Sequence, residues 1–328
     1  MRRRLAAALV AVASVVACAP VGSATTPQWG TWRVVSSNSR GPMVATSTVN
    51  VRGIFYTALR LYANNVSLHW HTGSSDPPNS VARVPVDASN AIDWPSEGVA
   101  GVVAVFNGGF KVAAKAGGAS VDGVRLEPLV VGDATIALND RGQWEMGTWG
   151  APGFPSKSFG TLALRQNLLP LVTNGTIAAT ALAGWWGKWG DPLKESPSEP
   201  RSAIGVDAQG NLIYVASMTG SLPAQLGEAL LKAGAVYGME MDMNPNWPIM
   251  GAATTPLHQA GTFSVQLPNS QHDASIYATG WTRDFFVAVA EPPTPGCYWA
   301  SPGLTHAQFV AAVGVPQPLA LTGDTCSH

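Results

Sequence analysis

The chain has 328 residues, enough for one large domain or two ordinary ones, and its 46% hydrophobic against 12% charged content argues against a disordered protein. Its 35 glycines and 25 prolines call for many turns and hence a strand-rich fold. Lysine and arginine (19) nearly balance aspartate and glutamate (20), and no basic stripe is present, which argues against a nucleic-acid partner.

The N-terminus reads as an export segment. Arg2, Arg3 and Arg4 form a positive region and residues 5–17 a short apolar run, too short to span a bilayer comfortably. Gly22-Ser23-Ala24 offers a cleavage site that makes residues 1–24 a signal peptide. Val15-Val16-Ala17-Cys18 offers a second, lipobox-like site that would leave Cys18 lipidated. No later segment has 18 uninterrupted apolar residues, so a secreted or envelope-associated protein without a membrane span is expected. Losing residues 1–24 removes three arginines and leaves 16 basic against 20 acidic residues, a formal charge of −4. Of three cysteines, Cys297 and Cys326 then remain, and in an oxidising compartment they read as a disulfide. It would close a loop worth roughly 3 kcal/mol.

Residues 25–54 are polar and irregular and read as a leader lying on the domain surface. Residues 66–71 alternate as a strand and place His69 and His71 on one face. With no third ligand nearby, the two histidines read as structural rather than metal-binding. Residues 99–106 form a continuous apolar run, as in a buried central strand. It ends in Asn107-Gly108-Gly109-Phe110, either a tight turn or a loop that brings backbone close to a ligand. From residue 120 onward short apolar runs separated by Asp122-Gly123 and Asn139-Asp140-Arg141-Gly142 read as hairpins. Trp185, Trp186 and Trp189 sit among glycines, where their rings can stack on sugar faces or pack under a loop. Residues 194–200 read as a mobile loop.

Residues 200–206 and 212–216 flank Asp207-Ala208-Gln209-Gly210-Asn211 as a hairpin. Ser221 is expected to cap a helix with Pro223 in its first turn. Leu222, Leu226 and Leu230 give that helix its apolar stripe, Glu228 and Lys232 an i,i+4 pair, and Gly234 its stop. Residues 285–289 form a last strong strand. No repeat or linker divides the chain. The expected fold is α+β, one strand-rich domain over residues 55–291 with a mixed sheet and few helices, followed by a tail over 292–328.

The stretch that invites a functional reading is residues 239–246. Met239, Met241 and Met243 alternate with Glu240, Asp242, Asn244 and Asn246, so a strand would send the methionines to a core and line the polar groups up on the other face. Neighbouring carboxylates repel, so the row is either a site or a solvated edge-strand face. Asp242, Asn244 and Asn246 also occupy positions 1, 3 and 5 of a calcium-loop pattern. Trp247 at position 6 and Ala253 at position 12 exclude an EF-hand, and a different calcium site using Glu240 and Asp242 stays open. Otherwise no cofactor is indicated.

Several motifs occur in order: Ala104-Val105-Phe106-Asn107-Gly108-Gly109-Phe110, Arg165-Gln166-Asn167, Leu171-Val172-Thr173-Asn174-Gly175, residues 201–207 and Met239-Glu240-Met241-Asp242. Together they resemble the phosphodiester glycosidase family over about residues 55–290. The resemblance implies removal of a sugar from a sugar-phosphate-sugar diester. Better-known members carry Asp-Gly-Gly-x-Ser where this chain reads Asp242-Met243-Asn244-Pro245-Asn246-Trp247, so only the aspartate carries over. Phosphate is already a good leaving group, so such an enzyme needs a cation at the phosphate and a carboxylate near the oxocarbenium-like centre. Arg201 is the expected phosphate clamp, Asp242 the nucleophile or base and Glu240 its partner. Asn107, Gly108, Gly109, Phe110, Asn244, Trp185 and Trp186 are the expected contacts to a carbohydrate or phosphoglycan. The other reading is a glycan-binding envelope protein without catalysis, in which the tryptophans bind.

Overall fold

The computed structural model describes residues 31–77, 90–121, 124–183, 189–190 and 197–290. The export segment with Cys18, the pair Trp185 and Trp186, residues 194–196 of the loop expected over 194–200, and the tail with Cys297 and Cys326 lie outside these. Among the described residues no helix is long and apolar enough to cross a membrane.

In chain order the elements are β1 (Arg33–Asn38), β2 (Gly41–Val51), β3 (Ile54–Leu61), β4 (Ser67–His71), α1 (Glu97–Ala100), β5 (Val102–Asn107), β6 (Ala119–Val121), β7 (Val124–Glu127), β8 (Ala134–Asn139) and β9 (Trp144–Thr148). There follow β10 (Thr161–Gln166), β11 (Pro170–Thr173), β12 (Thr176–Ile177), α2 (Ala179–Ala183), β13 (Glu199–Val206), β14 (Leu212–Ser221), α3 (Pro223–Ala233), β15 (Tyr237–Met243), β16 (Met250–Leu257), β17 (Val265–Gln266) and β18 (Phe285–Val289). They build an eight-stranded sheet, β1-β2-β3-β14-β13-β15-β11-β12, and two of five strands, β17-β16-β5-β18-β4 and β7-β6-β10-β8-β9. The strand-rich, few-helix body is as expected. Pairing between these strands is antiparallel, and among the described residues the one parallel register is an isolated bridge from Asp76 to Arg283.

Period-2 alternation explains the layers. Along β14, Leu212, Tyr214 and Ala216 enter the core shared by the three sheets, while Ile213 and Val215 face α3. Along β18, Phe286 and Ala288 enter the shared core, and Phe285, Val287 and Val289 pack with Tyr277 and Phe263 beyond the second sheet. Strands apolar on both faces are central ones. Helix α3 buries Leu226 and Leu230 against the large sheet, and Leu222 stays 37% exposed. Its N-cap is Leu222 and not Ser221, which ends β14; the Gln225 side chain takes the Leu222 N–H at 2.9 Å. Gly234 closes the helix at φ 109°, and Lys232 meets Glu228 at 3.2 Å.

The leader expected over residues 25–54 is corrected from residue 33 onward, where β1 and β2 form the edge of the large sheet. Its serines and threonines look polar, but β-branched residues at 44, 46, 48, 49 and 51 suit a half-buried pleated surface.

His69 and His71 share a partner from α1. Glu97 accepts from His69 Nδ1 at 2.6 Å and His71 Nε2 at 2.8 Å on one oxygen, and from the Asp93 N–H at 2.8 Å on the other. Burial alone would raise the Glu97 pKa, but His71 and His69 outweigh it and hold it down at about 2. An ionised carboxylate only accepts, so both bonded ring nitrogens carry their protons. Glu97→Ala should therefore cost about 3 kcal/mol in urea unfolding, because it leaves imidazole donors buried without their acceptor.

Candidate active site

Strand β15 does not keep the strict alternation its sequence shows. Arg201 and Ala203 of β13 stand opposite Met243 and Glu240, so Ser202 alone faces both Met241 and Asp242. This is a β-bulge, which re-aims the side chains that follow it. Glu240 keeps the α3 side of the sheet with its register partner Ala203, while Asp242 turns toward β5 and β18. The two acids expected side by side are thus parted by the sheet.

Glu240 and Arg201 form an ion pair that is wholly buried. Arg201 also donates to the carbonyls of Ser221 (2.9 Å), Trp189 (2.8 Å) and Pro197 (3.2 Å). Its fork is spent on protein acceptors, so the expected phosphate clamp does not accompany Asp242. Trp189, also fully buried, is part of the core beside α3.

The cation beside Asp242 is Arg283, which immediately precedes β18 across a short link. Arg283 Nη2 donates to Asp242 Oδ2 and to the Gly109 carbonyl (3.0 Å), and its Nε lies 3.7 Å from Asp76. Asp242 Oδ1 accepts the Met243 N–H at 2.9 Å. Behind this pair stands a second one: Arg165 Nε donates to Asp284 Oδ2 at 2.7 Å, and Trp70 Nε1 donates to the same oxygen at 3.0 Å.

The Asn107–Phe110 loop lies between these charges. Asn107 donates to Ser202 Oγ (3.0 Å) and accepts from the Tyr214 hydroxyl (2.8 Å), and Ser202 Oγ donates to the Asp242 carbonyl at 2.7 Å. The Gly108 carbonyl takes the Asp242 N–H at 3.1 Å. A Cβ on Gly108 would sit 2.3 Å from Asp284 Cγ, and one on Gly109 2.8 Å from Arg165 Nη2. Phe110 donates its N–H to Asn167 Oδ1 (2.9 Å) and its carbonyl accepts from Arg165 (2.7 Å). The glycines are needed because side chains press on the loop. Asn107, Gly108, Gly109 and Phe110 are brought to Asp242, and the polar groups named are engaged in holding it.

Among the described residues, Asp76, Asp242 and Asp284 are paired here with Arg165 and Arg283, one carboxyl more than the cations. Burial pushes Asp242 up to about 7, more than Arg283 and the Met243 N–H pull it down. Burial also raises Asp76, against the Val112 N–H and Arg283. A buried carboxyl raised toward neutrality can serve in acid–base chemistry, and burial raises Glu240 beside Arg201 to about 7 as well.

Toward solvent, Asn244 takes a left-handed backbone (φ 76°) and donates its N–H to the Pro200 carbonyl at 2.9 Å. Asn tolerates that region as few other residues do. Trp247 follows, with the Arg283 guanidinium 4.8 Å and Lys111 Nζ 5.7 Å from its ring centre. Trp281 meets Trp247 edge-on at 6.2 Å, and His272 meets Trp281 at 5.0 Å. Sequence reading missed Arg283 and Asp76, and singled out Arg165 only as part of a motif. Trp281-Thr282-Arg283-Asp284 just before a strong strand is the one local hint, because charge at the tip of a buried strand is costly. A calcium ion shared by Glu240 and Asp242 is ruled out by their opposite faces. Among the described residues no group of three or more His, Cys, Asp or Glu side chains is arranged to hold a metal ion.

Two outcomes follow for stability. The folded pKa of Asp242, about 7, lies above its ordinary 3.8, so its contribution is complete below pH about 4 and is lost as pH rises through 7. Thermal unfolding of Asp242→Asn should therefore lose less stability than the parent chain between pH 4 and pH 8. At Asn244, replacement by Gly should be tolerated, whereas Asn244→Val should cost about 1–2 kcal/mol in chemical unfolding, since a β-branched residue resists positive φ.

No family model matches the chain, and no curated protein matches it. Among solved structures, the zebrafish N-acetylglucosamine-1-phosphodiester alpha-N-acetylglucosaminidase catalytic domain, auto-inhibited by its pro-peptide, is similar at 14% identity and TM-score 0.46, over 80% of this chain and 88% of that one. A hypothetical protein from Synechocystis is similar at 14% identity and TM-score 0.47, over 76% of this chain and 62% of that one, so the chain spans about three fifths of that protein's length. At TM-scores below 0.5 these are distant likenesses, and a functional reading rests on the chain's own residues.

Proposed function

We propose that the chain is a hydrolase that cleaves the glycosidic C–O bond of a sugar-1-phosphodiester, with the phosphate side as leaving group. The observation that carries this reading is Asp242: a buried carboxyl brought to about 7, set against Arg283 with Asp76 on the guanidinium's other side. The ordered motifs of the sequence support it. The export segment read over residues 1–24 would direct the reaction to envelope or extracellular phosphoglycans, with Cys18 as a lipid anchor where the lipobox-like site is used.

In this proposal Asp242, when ionised, takes the proton of the attacking water or attacks the anomeric carbon itself. Phosphate departs without needing a proton, so a second strong acid is dispensable. Arg283 steadies the ionised form of Asp242, and Lys111, exposed beside Trp247, meets the phosphate charge. Trp247 and Trp281 offer ring surface to the sugar. Arg201 and Glu240 act from behind the sheet by holding β13 against β15.

Purified protein should release sugar from N-acetylglucosaminyl-1-phosphodiesters or related sugars. Its kcat/KM should rise as pH increases through about 7, where Asp242 ionises. Asp242→Asn should lower kcat by about 10²–10⁴-fold while the protein stays folded. No sugar release above that variant across a broad panel would sink the reading. Binding without turnover would point instead to a glycan-binding protein.

A further inference from the structure

We propose that the chain carries a second, non-catalytic binding site for neutral saccharides, at the end of the large sheet away from Asp242. A cleft of about 580 Å³ opens there between the β8–β9 turn, the β13–β14 turn at Gly210, Asn64 after β3, and residues 156–160. That volume lies within the ~300–1,000 Å³ of small-molecule sites. It shares no residue with the Asp242 site. On β13 and β14, the pair Val206 and Leu212 marks the cleft end and the pair Arg201 and Ser217 the Asp242 end, roughly 17 Å away along the strand.

The walls are built in advance. Asn139 donates to Gln143 Oε1 (2.8 Å) and to the Phe159 carbonyl (3.1 Å), and accepts from the N–H groups of Arg141 and Gln143, both at 3.0 Å. One side chain thus ties both sides of the opening. Glu145 holds Ser156 through its N–H (2.9 Å) and hydroxyl (2.5 Å). The Trp144 indole, only 8% exposed, donates to the Gly210 carbonyl at 3.0 Å and fixes the floor. Rigid walls spare a ligand the cost of ordering them.

The lining selects the ligand class. Asn64, Gln143, Ser158 and Phe159 line one space. Asp140 and Arg141 lie 4.0 Å apart and offset each other, and Glu145 is occupied by Ser156. No net positive charge is present to hold a phosphate or a polyanion. Nor is the lining apolar enough for a lipid chain. Amides, hydroxyls and an aromatic ring fit a polyhydroxylated, uncharged ligand: the amides donate to and accept from hydroxyls, and the ring packs against C–H faces. This site is independent of the hydrolase reading.

The test is a titration of the full chain with chitotriose, maltotriose and mannotriose, followed by amide and indole N–H resonances. Expected are shifts at Trp144 Nε1–H, Gly142, Gly160 and Gly210 for at least one trisaccharide, equal in the Asp242→Asn protein. Phe159→Ala should weaken that binding about two- to tenfold, and Gln143→Ala should also weaken it, each with an otherwise unchanged spectrum. Shifts confined to Trp247, Trp281 and Asp242, or no shift with any of the three sugars, would overturn the proposal.

Discussion

One extra residue in β15 decides how this molecule distributes its buried charge. With an unbroken ladder, Glu240 and Asp242 would share the α3 face, two desolvated acids with Arg201 between them. The bulge at Met241 and Asp242 sends the second acid through the sheet, where a different guanidinium awaits it. The bulge is fastened at both backbone atoms of Asp242: its N–H by the Gly108 carbonyl and its carbonyl by Ser202 Oγ. Those fasteners depend on Asn107, which binds Ser202, the Gly108 carbonyl and Tyr214 at once. Loss of that amide would free the bulge before it touched any reacting group.

Buried ion pairs are poor sources of stability, because desolvation of both charges offsets their attraction. Their presence here is better understood as positioning. Asp284 is given Arg165 and Trp70, and Arg165 in turn grips the Phe110 carbonyl. That pair is a frame for the loop at 107–110. The neighbouring pair is left incomplete: Arg283 divides itself between Asp242, Asp76 and a carbonyl, and its Nε has no hydrogen bond among the described residues. Burial raises Asp242 to about 7, and Arg283, shared with Asp76 and a carbonyl, offsets only part of that rise.

The parts of the fold legible in the sequence were those with local punctuation. The β13–β14 hairpin has its Asp-to-Asn turn, α3 has Pro223 and Gly234, and β18 is a pure apolar run. Strands β1 and β2 hid because threonine and serine read as polar while serving as strand formers. The bulge was hidden for a stronger reason: Met-Glu-Met-Asp-Met obeys period two perfectly, and slippage is set by Ser202 and Gly108 from elsewhere in the chain. Arg201 was an attractive clamp because it opens a strand beside Asp242, and it is indeed across from Met243. Sequence shows adjacency, but not which face of a sheet an arginine serves. Arg283 and Asp76 reach Asp242 only through the pairing of β18 with β5, a long-range contact with no local mark.

Asn244 is explained by the backbone conformation it has to adopt. Two residues after the aspartate the chain leaves β15 at a positive φ, 76°. Asparagine is the side chain that meets that need at least cost after glycine. Pro245 stiffens the exit and Trp247 then lies against the guanidinium that Asp242 depends on. The indole face covers that cation on this side and strengthens its hold on the carboxylate. The segment after Asp242 thus couples a left-handed turn to an aromatic cover over the charge pair.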